Sequence, residues 1–329
     1  MAKKIITWCI GVIVLVLALI GLQRTLLLVQ CTLWTQRTAG LEAGKFDRDL
    51  LYRNGGGEPL ILVNPSNKRT LFFVEGFRAQ MPAGMYTDWF QQLHHEKGVN
   101  VIVPVYGLQS LPFSQRNREW YFQEDARSVL QIYDAYTAML PKDHRVVTAS
   151  MSFGTLPHLM IAAKAARKPD TLFLLSPLNT GMEYKVAGEL VFWLSRQTGW
   201  LQHLVLFSPL APPPNRASVW DIVNRERNLA IAGRIPVNPE DSTRLGHRVS
   251  QAAQWMETEI VPQVKGRDIA LIWGDSDLFF SQQGFGHLAD LLLKTGNRVK
   301  REAIRNSGHM VLLDSGGDGV KGQIEAALK

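Results

Sequence analysis

From Leu60 onward the chain alternates between short runs that are apolar throughout and longer stretches whose apolar residues recur every three or four positions. Leu60-Ile-Leu-Val63, Leu71-Phe-Phe-Val74, Val99-Asn-Val-Ile-Val103, Val146-Val147, Thr171-Leu-Phe-Leu-Leu175 and Ile269-Ala-Leu-Ile-Trp273 are of the first kind, and Val299 to Ile304 is strand-like although charged in its middle. Runs this short and this apolar read as strands buried on both faces. Thr87 to Lys97, Glu119 to Leu140, Thr155 to Arg167, Gly286 to Lys294 and Val320 to Leu328 are of the second kind. In the longest of them Val129, Ile132, Tyr133, Tyr136 and Leu140 follow helical spacing, and Pro141 stops it. Strands and helices in alternation predict an α/β fold, a mostly parallel, doubly wound sheet with helices on both faces.

The alternation fails in two places. Thr180 to Gly266 carries helical stretches around Trp193, Trp200, Leu204 and Phe207, broken by Ala211-Pro-Pro-Pro214. A proline run cannot sit in a central strand, so this stretch reads as a helical cap inserted over the carboxyl edge of the sheet. At the other end, Ile5 to Leu22 is a run of 18 uncharged residues. As a helix it would rise about 27 Å, close to the hydrocarbon thickness of a bilayer. No small-x-small cleavage site follows it, so it reads as an uncleaved transmembrane anchor. Lys3 and Lys4 flank it on one side and Arg24 on the other. That balance places the N-terminus in the cytoplasm and the rest on the non-cytoplasmic side. The expected organisation is an anchor over 1–25, a juxtamembrane linker over 26–59, and one domain over 60–329 with its cap at about 180–266.

Composition narrows the function classes. The chain has 329 residues, a formal charge of +7 and 46% hydrophobic residues, an ordinary globular balance. No Lys/Arg cluster with interleaved aromatics is present, which argues against nucleic acid as a partner. Cys9 and Cys31 are too few to staple a domain of this size. His94, His95, His144, His158, His203, His247 and His287 have no metal-ligand spacing, so no metal site is expected. Gly284-Phe-Gly-His-Leu-Ala289 has neither a strand just before it nor an acidic residue at the distance a dinucleotide loop needs, so no cofactor is expected.

One stretch carries chemistry. Arg145-Val-Val-Thr-Ala-Ser-Met-Ser-Phe-Gly-Thr155 joins a strand to a helix through Ser150-Met-Ser-Phe-Gly154. This is the layout of a nucleophile elbow, a cramped turn that closes only if small residues stand two before and two after the serine. Ser150 and Gly154 meet that need and make Ser152 the candidate nucleophile. A serine hydroxyl needs a base, and the base an orienting acid. In doubly wound sheets these follow the serine on loops after later strands. After the strand ending at Trp273 comes Gly274-Asp-Ser-Asp277, offering Asp275 or Asp277; after the last strand comes Asn306-Ser-Gly-His309. The oxyanion of an acyl-transfer step needs backbone donors, one of them the N–H after the nucleophile, that of Phe153. The second falls in Val74-Glu-Gly-Phe77, where Gly76 permits close approach and the Phe77 N–H can point inward.

With elbow, acid and histidine in this order, the chain from Leu60 to Leu328 resembles the α/β-hydrolase superfamily. Within it, the chain looks like the monoacylglycerol lipase, lysophospholipase and serine-aminopeptidase-like group. The resemblance implies a triad of Ser152, Asp277 and His309, the acid falling three after Gly274, and an oxyanion hole of Phe77 and Phe153. It implies a membrane-anchored serine hydrolase that cleaves carboxylic esters such as lysophospholipids or monoacylglycerols. A serine peptidase of the same fold and a non-catalytic binding domain at the membrane are the alternatives. Two positions depart from the group's pattern. Pro104-Val-Tyr-Gly-Leu-Gln-Ser110 replaces its Asp-x-Arg-Gly loop, and Glu75-Gly76 replaces its His-Gly. A carboxylate aimed at the hole would oppose the oxyanion by on the order of 1 to 4 kcal/mol, so Glu75 must point away or be paired if the site works.

Overall fold

A computed structural model describes residues 59–76, 86–106, 121–181 and 248–329, apart from 276, 278, 279 and 315, together with 8, 10–12, 14 and 15. Its described strands form a seven-stranded sheet in the order β1-β3-β2-β4-β5-β6-β7. These are β1 (Leu60–Leu62), β2 (Arg69–Val74), β3 (Asn100–Val103), β4 (Arg145–Met151), β5 (Thr171–Leu175), β6 (Asp268–Gly274) and β7 (Arg298–Ile304). Only β1 runs antiparallel to its neighbour; every other pair is parallel. Each run predicted as a strand is one.

The helices divide between the two faces. They are α1 (Thr87–Lys97), α2 (Phe122–Ala138), α3 (Thr155–Lys164), α4 (Gln282–Lys294) and α5 (Gly317–Leu328). Along β2, Leu71 and Phe73 face α1 and α5, while Phe72 and Val74 face α2, α3 and α4. All four side chains are fully buried, which is why the run had to be apolar at consecutive positions rather than alternate ones. Gly98 ends α1 in the left-handed region at φ 61°, with its N–H on the Leu93 carbonyl. Ser281 caps α4 by accepting the Gly284 N–H at 3.0 Å.

Most of the stretch predicted as cap lies outside the described residues. Its end lies among the described residues. Residues 248–255 are helical and run on through a π turn at Met256–Ile260 and a 3₁₀ turn at Val261–Gln263. Ala252, Ala253, Met256, Ile260, Val261 and Val264 are buried in the same core as α3 and α4. Parallel neighbours such as β5 and β6 need a covering crossover, and this segment supplies it. Residues 252–264 therefore share the core that covers β5 and β6. The predicted anchor and linker, 1–25 and 26–59, lie almost wholly outside the described residues. Among the described residues no helix is long and apolar enough to cross a membrane.

Candidate active site

The chain leaves β2 for β3 on one side, then returns across to β4 on the other. The strand order reverses between β2 and β4, and open parallel sheets hold their ligand sites outside the carboxyl ends of strands at such a reversal. Ser152 follows β4 at that point. It sits in the left-handed region at φ 51°, begins a 3₁₀ turn over Ser152–Gly154, and passes straight into α3. A non-glycine residue held there is strained, and the packing around it explains what holds it. A Cβ on Gly154 would lie 2.3 Å from the Val74 carbonyl oxygen and 2.5 Å from that of Glu75, so the turn is pressed on the end of β2. On Gly76 it would lie 3.0 Å from the Ser152 Cβ.

Where the sequence pattern expects glycine, Ser150 has a partner instead. His158, on α3, is fully buried with one ring nitrogen 2.8 Å from the Ser150 hydroxyl and the other 2.5 Å from that of Thr148. Burial pushes its pKa down to about 3, so the ring is neutral at ordinary pH. The trio ties the elbow strand to the elbow helix. In the sequence His158 stands out only as a histidine without metal-ligand spacing; its signal is the unexpected hydroxyl at Ser150, eight residues before it.

The two carboxylates after β6 do different work. Asp277 and His309 are buried, and His309 Nδ1 lies 2.8 Å from Asp277 Oδ2. The other oxygen of Asp277 accepts the Phe280 N–H at 3.1 Å, and the Phe280 ring lies 5.6 Å from the imidazole. A carboxylate on Nδ1 fixes the ring proton there and leaves the lone pair on Nε2. Asp275 instead accepts the Asn306 N–H at 2.9 Å, closing one loop on the next. Those loops touch: a Cβ on Gly274 would lie 2.1 Å from the Ser307 carbonyl oxygen. The structure thus places Ser152, Asp277 and His309 after β4, β6 and β7, parallel strands whose carboxyl ends share one edge. Phe153 is buried in the elbow turn, 6.4 Å from the stacked ring of Tyr106. Phe77 lies outside the described residues, as do Gly107 and Ser110.

Solved structures share this architecture. A structure from work on LipS and LipT, two metagenome-derived lipolytic enzymes, matches with a TM-score of 0.55 at 15% identity, over 83% of this chain and 97% of that one. The monoacylglycerol lipase of Paleococcus ferrophilus matches at 0.53 and 16% identity, over 82% of this chain and 98% of its own. A highly thermostable carboxyl esterase from Bacillus coagulans, in complex with glycerol, matches at 0.54 and 15% identity, over 82% and 94%. This chain has the α/β-hydrolase fold. No family model matches the sequence, and no curated protein is significantly similar to it. At such identities the α/β-hydrolase fold is what the likeness carries, and chemistry must be argued from the site.

Glu75 avoids the conflict by neither route expected from the sequence, pairing or pointing away, but by losing its charge. It is 4% exposed at the end of β2, and burial pushes its carboxyl up to about 8, against a smaller opposing effect of the Gly76 N–H. At neutral pH it is an uncharged acid, so no anion stands beside the elbow. The described residues contain no cluster of three or more His, Cys, Asp or Glu side chains that could hold a metal ion.

Proposed function

We propose that the protein is a serine hydrolase that cleaves carboxylic esters through an acyl-enzyme. Ser152 Oγ attacks the ester carbonyl carbon while His309 Nε2 takes its proton, and Asp277 stabilises the imidazolium. The Phe77 and Phe153 N–H groups hold the oxyanion. Collapse expels the alcohol, which takes the proton from His309. Water, deprotonated by the same imidazole, then releases the carboxylic acid and restores Ser152. The observation that carries this reading is the coincidence of a serine held at φ 51° after β4 with the buried His309–Asp277 pair on the neighbouring loops.

An acyl chain drawn from lipid, as in a lysophospholipid or monoacylglycerol, is the proposed substrate class. The apolar segment 5–22 would hold the domain at a membrane, with the N-terminus cytoplasmic and the domain on the other side. Labelling of the detergent-solubilised full chain by a fluorophosphonate probe tests the nucleophile: wild type should label and Ser152→Ala should not. A folded wild type that does not label moves the weight to a binding domain. Turnover of peptide amides in preference to a panel of acyl esters moves it to a peptidase.

A further inference from the structure

The side chain of Glu75 has no part in the steps above, yet the residue's backbone lies against the nucleophile turn. Its own backbone carbonyl accepts the Tyr106 hydroxyl at 2.7 Å and bounds the space that Gly154 leaves empty. Its neighbour Gly76 is the residue whose missing Cβ makes room for Ser152. The carboxyl is enclosed on the α1 side of the sheet beside Tyr86, the residue that precedes α1. Tyr86 in turn directs its hydroxyl at the sulfur of Met151, immediately before Ser152, at 3.8 Å. Among the described elements, Tyr86 before α1 stands beside the Glu75 carboxyl, while Tyr106 after β3 and the Ser152 turn after β4 meet its backbone. None of them is a cation. Burial and the charge of Glu75 both push the Tyr86 hydroxyl up, so it does not ionise first.

We propose that Glu75, as an uncharged carboxylic acid, is a positioning residue for the nucleophile turn, and that loss of its proton to solvent disables Ser152. An anion enclosed at this point has two outlets, and both damage the site. The turn can open until water reaches the carboxylate, which releases Ser152 from its strained seat. Otherwise the charge stays and opposes the oxyanion that forms above Ser152. The inference rests on Ser152 being the nucleophile. It adds that the group occupying the position of a histidine in the resembled pattern makes the enzyme one that switches off on the alkaline side. The carboxyl's pKa of about 8 places the switch just above neutrality.

The test is the fluorophosphonate labelling rate of the full chain from pH 6.5 to 9.5, corrected by Ser152→Ala, for wild type and Glu75→Gln. Thermal midpoints are taken at each pH. Each protein is scaled to its own rate at pH 6.5. The wild-type rate should fall to about a tenth by pH 9, one unit above the carboxyl's midpoint, while the Gln variant should hold within about twofold. A wild-type rate that holds or rises to pH 9 overturns the role of Glu75 and leaves the hydrolase reading standing. So does an equal fall in the Gln variant. No labelling of a cooperatively melting wild type at any pH overturns both. If Glu75→Gln does not melt cooperatively, Glu75→Met, apolar and of similar length, takes its place with the same expected outcome.

Discussion

Two carboxylates two positions apart, Asp275 and Asp277, illustrate how environment assigns work to chemically equal groups. Asp277 is shut in with His309, whereas Asp275 spends an oxygen on the Asn306 N–H. Asp277→Asn should lower the labelling rate by on the order of 10⁴-fold, because the amide can no longer fix the imidazole tautomer. Asp275→Asn keeps an acceptor for Asn306 and should cost less than about tenfold. Parallel rate measurements decide it; equal losses would remove the distinction. His158 gives the residue-scale prediction for pH. Its folded-state pKa of about 3 lies below the ordinary 6.5, so the unfolded chain binds a proton there that the folded chain refuses. Stability is therefore complete above about 6.5 and falls as the pH drops toward 3. Thermal midpoints taken between pH 7 and 4 should fall less steeply in His158→Gln than in wild type. The serine and its order relative to acid and histidine were legible in the sequence. The His158 contact was not, because residues eight apart meet only when a helix folds back over its own strand.

At the scale of elements, close approaches between backbones set the site, and glycines mark them. Gly154→Ala would put a methyl group 2.3 Å from the Val74 carbonyl, a contact that backbone must yield to. We expect about 1–3 kcal/mol of lost stability and a labelling rate reduced more than in Lys164→Ala at the exposed end of α3. Denaturant unfolding with labelling on the same samples checks both halves. Gly284 is similar. Its motif superficially resembles a dinucleotide loop, but it lies in the first turn of α4, where a Cβ would come 2.8 Å from the Gly181 Cα. Next to that contact, Glu257 in the π turn accepts the Thr180 N–H at 2.8 Å and the Thr180 hydroxyl at 2.7 Å, with His287 Nε2 at 3.6 Å. This clasp joins the chain just after β5 to its return at 256–260. The sequence hid it, since a helix that covers the sheet and a helix of a cap share one hydrophobic period. Glu257→Ala leaves the Thr180 donors half-buried and unpaired, for an expected loss of about 1–3 kcal/mol in the same unfolding measurement.

On the scale of the whole molecule, a mostly parallel sheet and its two helical layers followed from sequence because the core strands are apolar on both faces; the strand order did not, since apolar runs of one kind do not say which lies beside which. The edge strand β7 is the informative exception. Arg298, Lys300 and Arg301 are exposed along it, the charged pattern that keeps the edge of the described sheet from recruiting another chain. The N-terminal segment has the opposite character. Its described helical residues Trp8, Ile10, Val12, Val14 and Leu15 are all exposed, Trp8 by 77%. Apolar side chains standing in the open on a helix need a cover, and a bilayer is the cover proposed for 5–22. Full-length protein should then stay with membranes through an alkaline carbonate wash. Val14→Lys with Leu15→Lys should release it, since each lysine near the middle of a span costs about 2.5–3.5 kcal/mol. Wild-type protein in the carbonate supernatant would sink the anchor while leaving the site untouched. Retention of the double variant would mean that another part of the chain holds the membrane. Retention of wild type with release of the variant would put the mouth of the site within a short linker of lipid, where an acyl-ester substrate would be at its most concentrated.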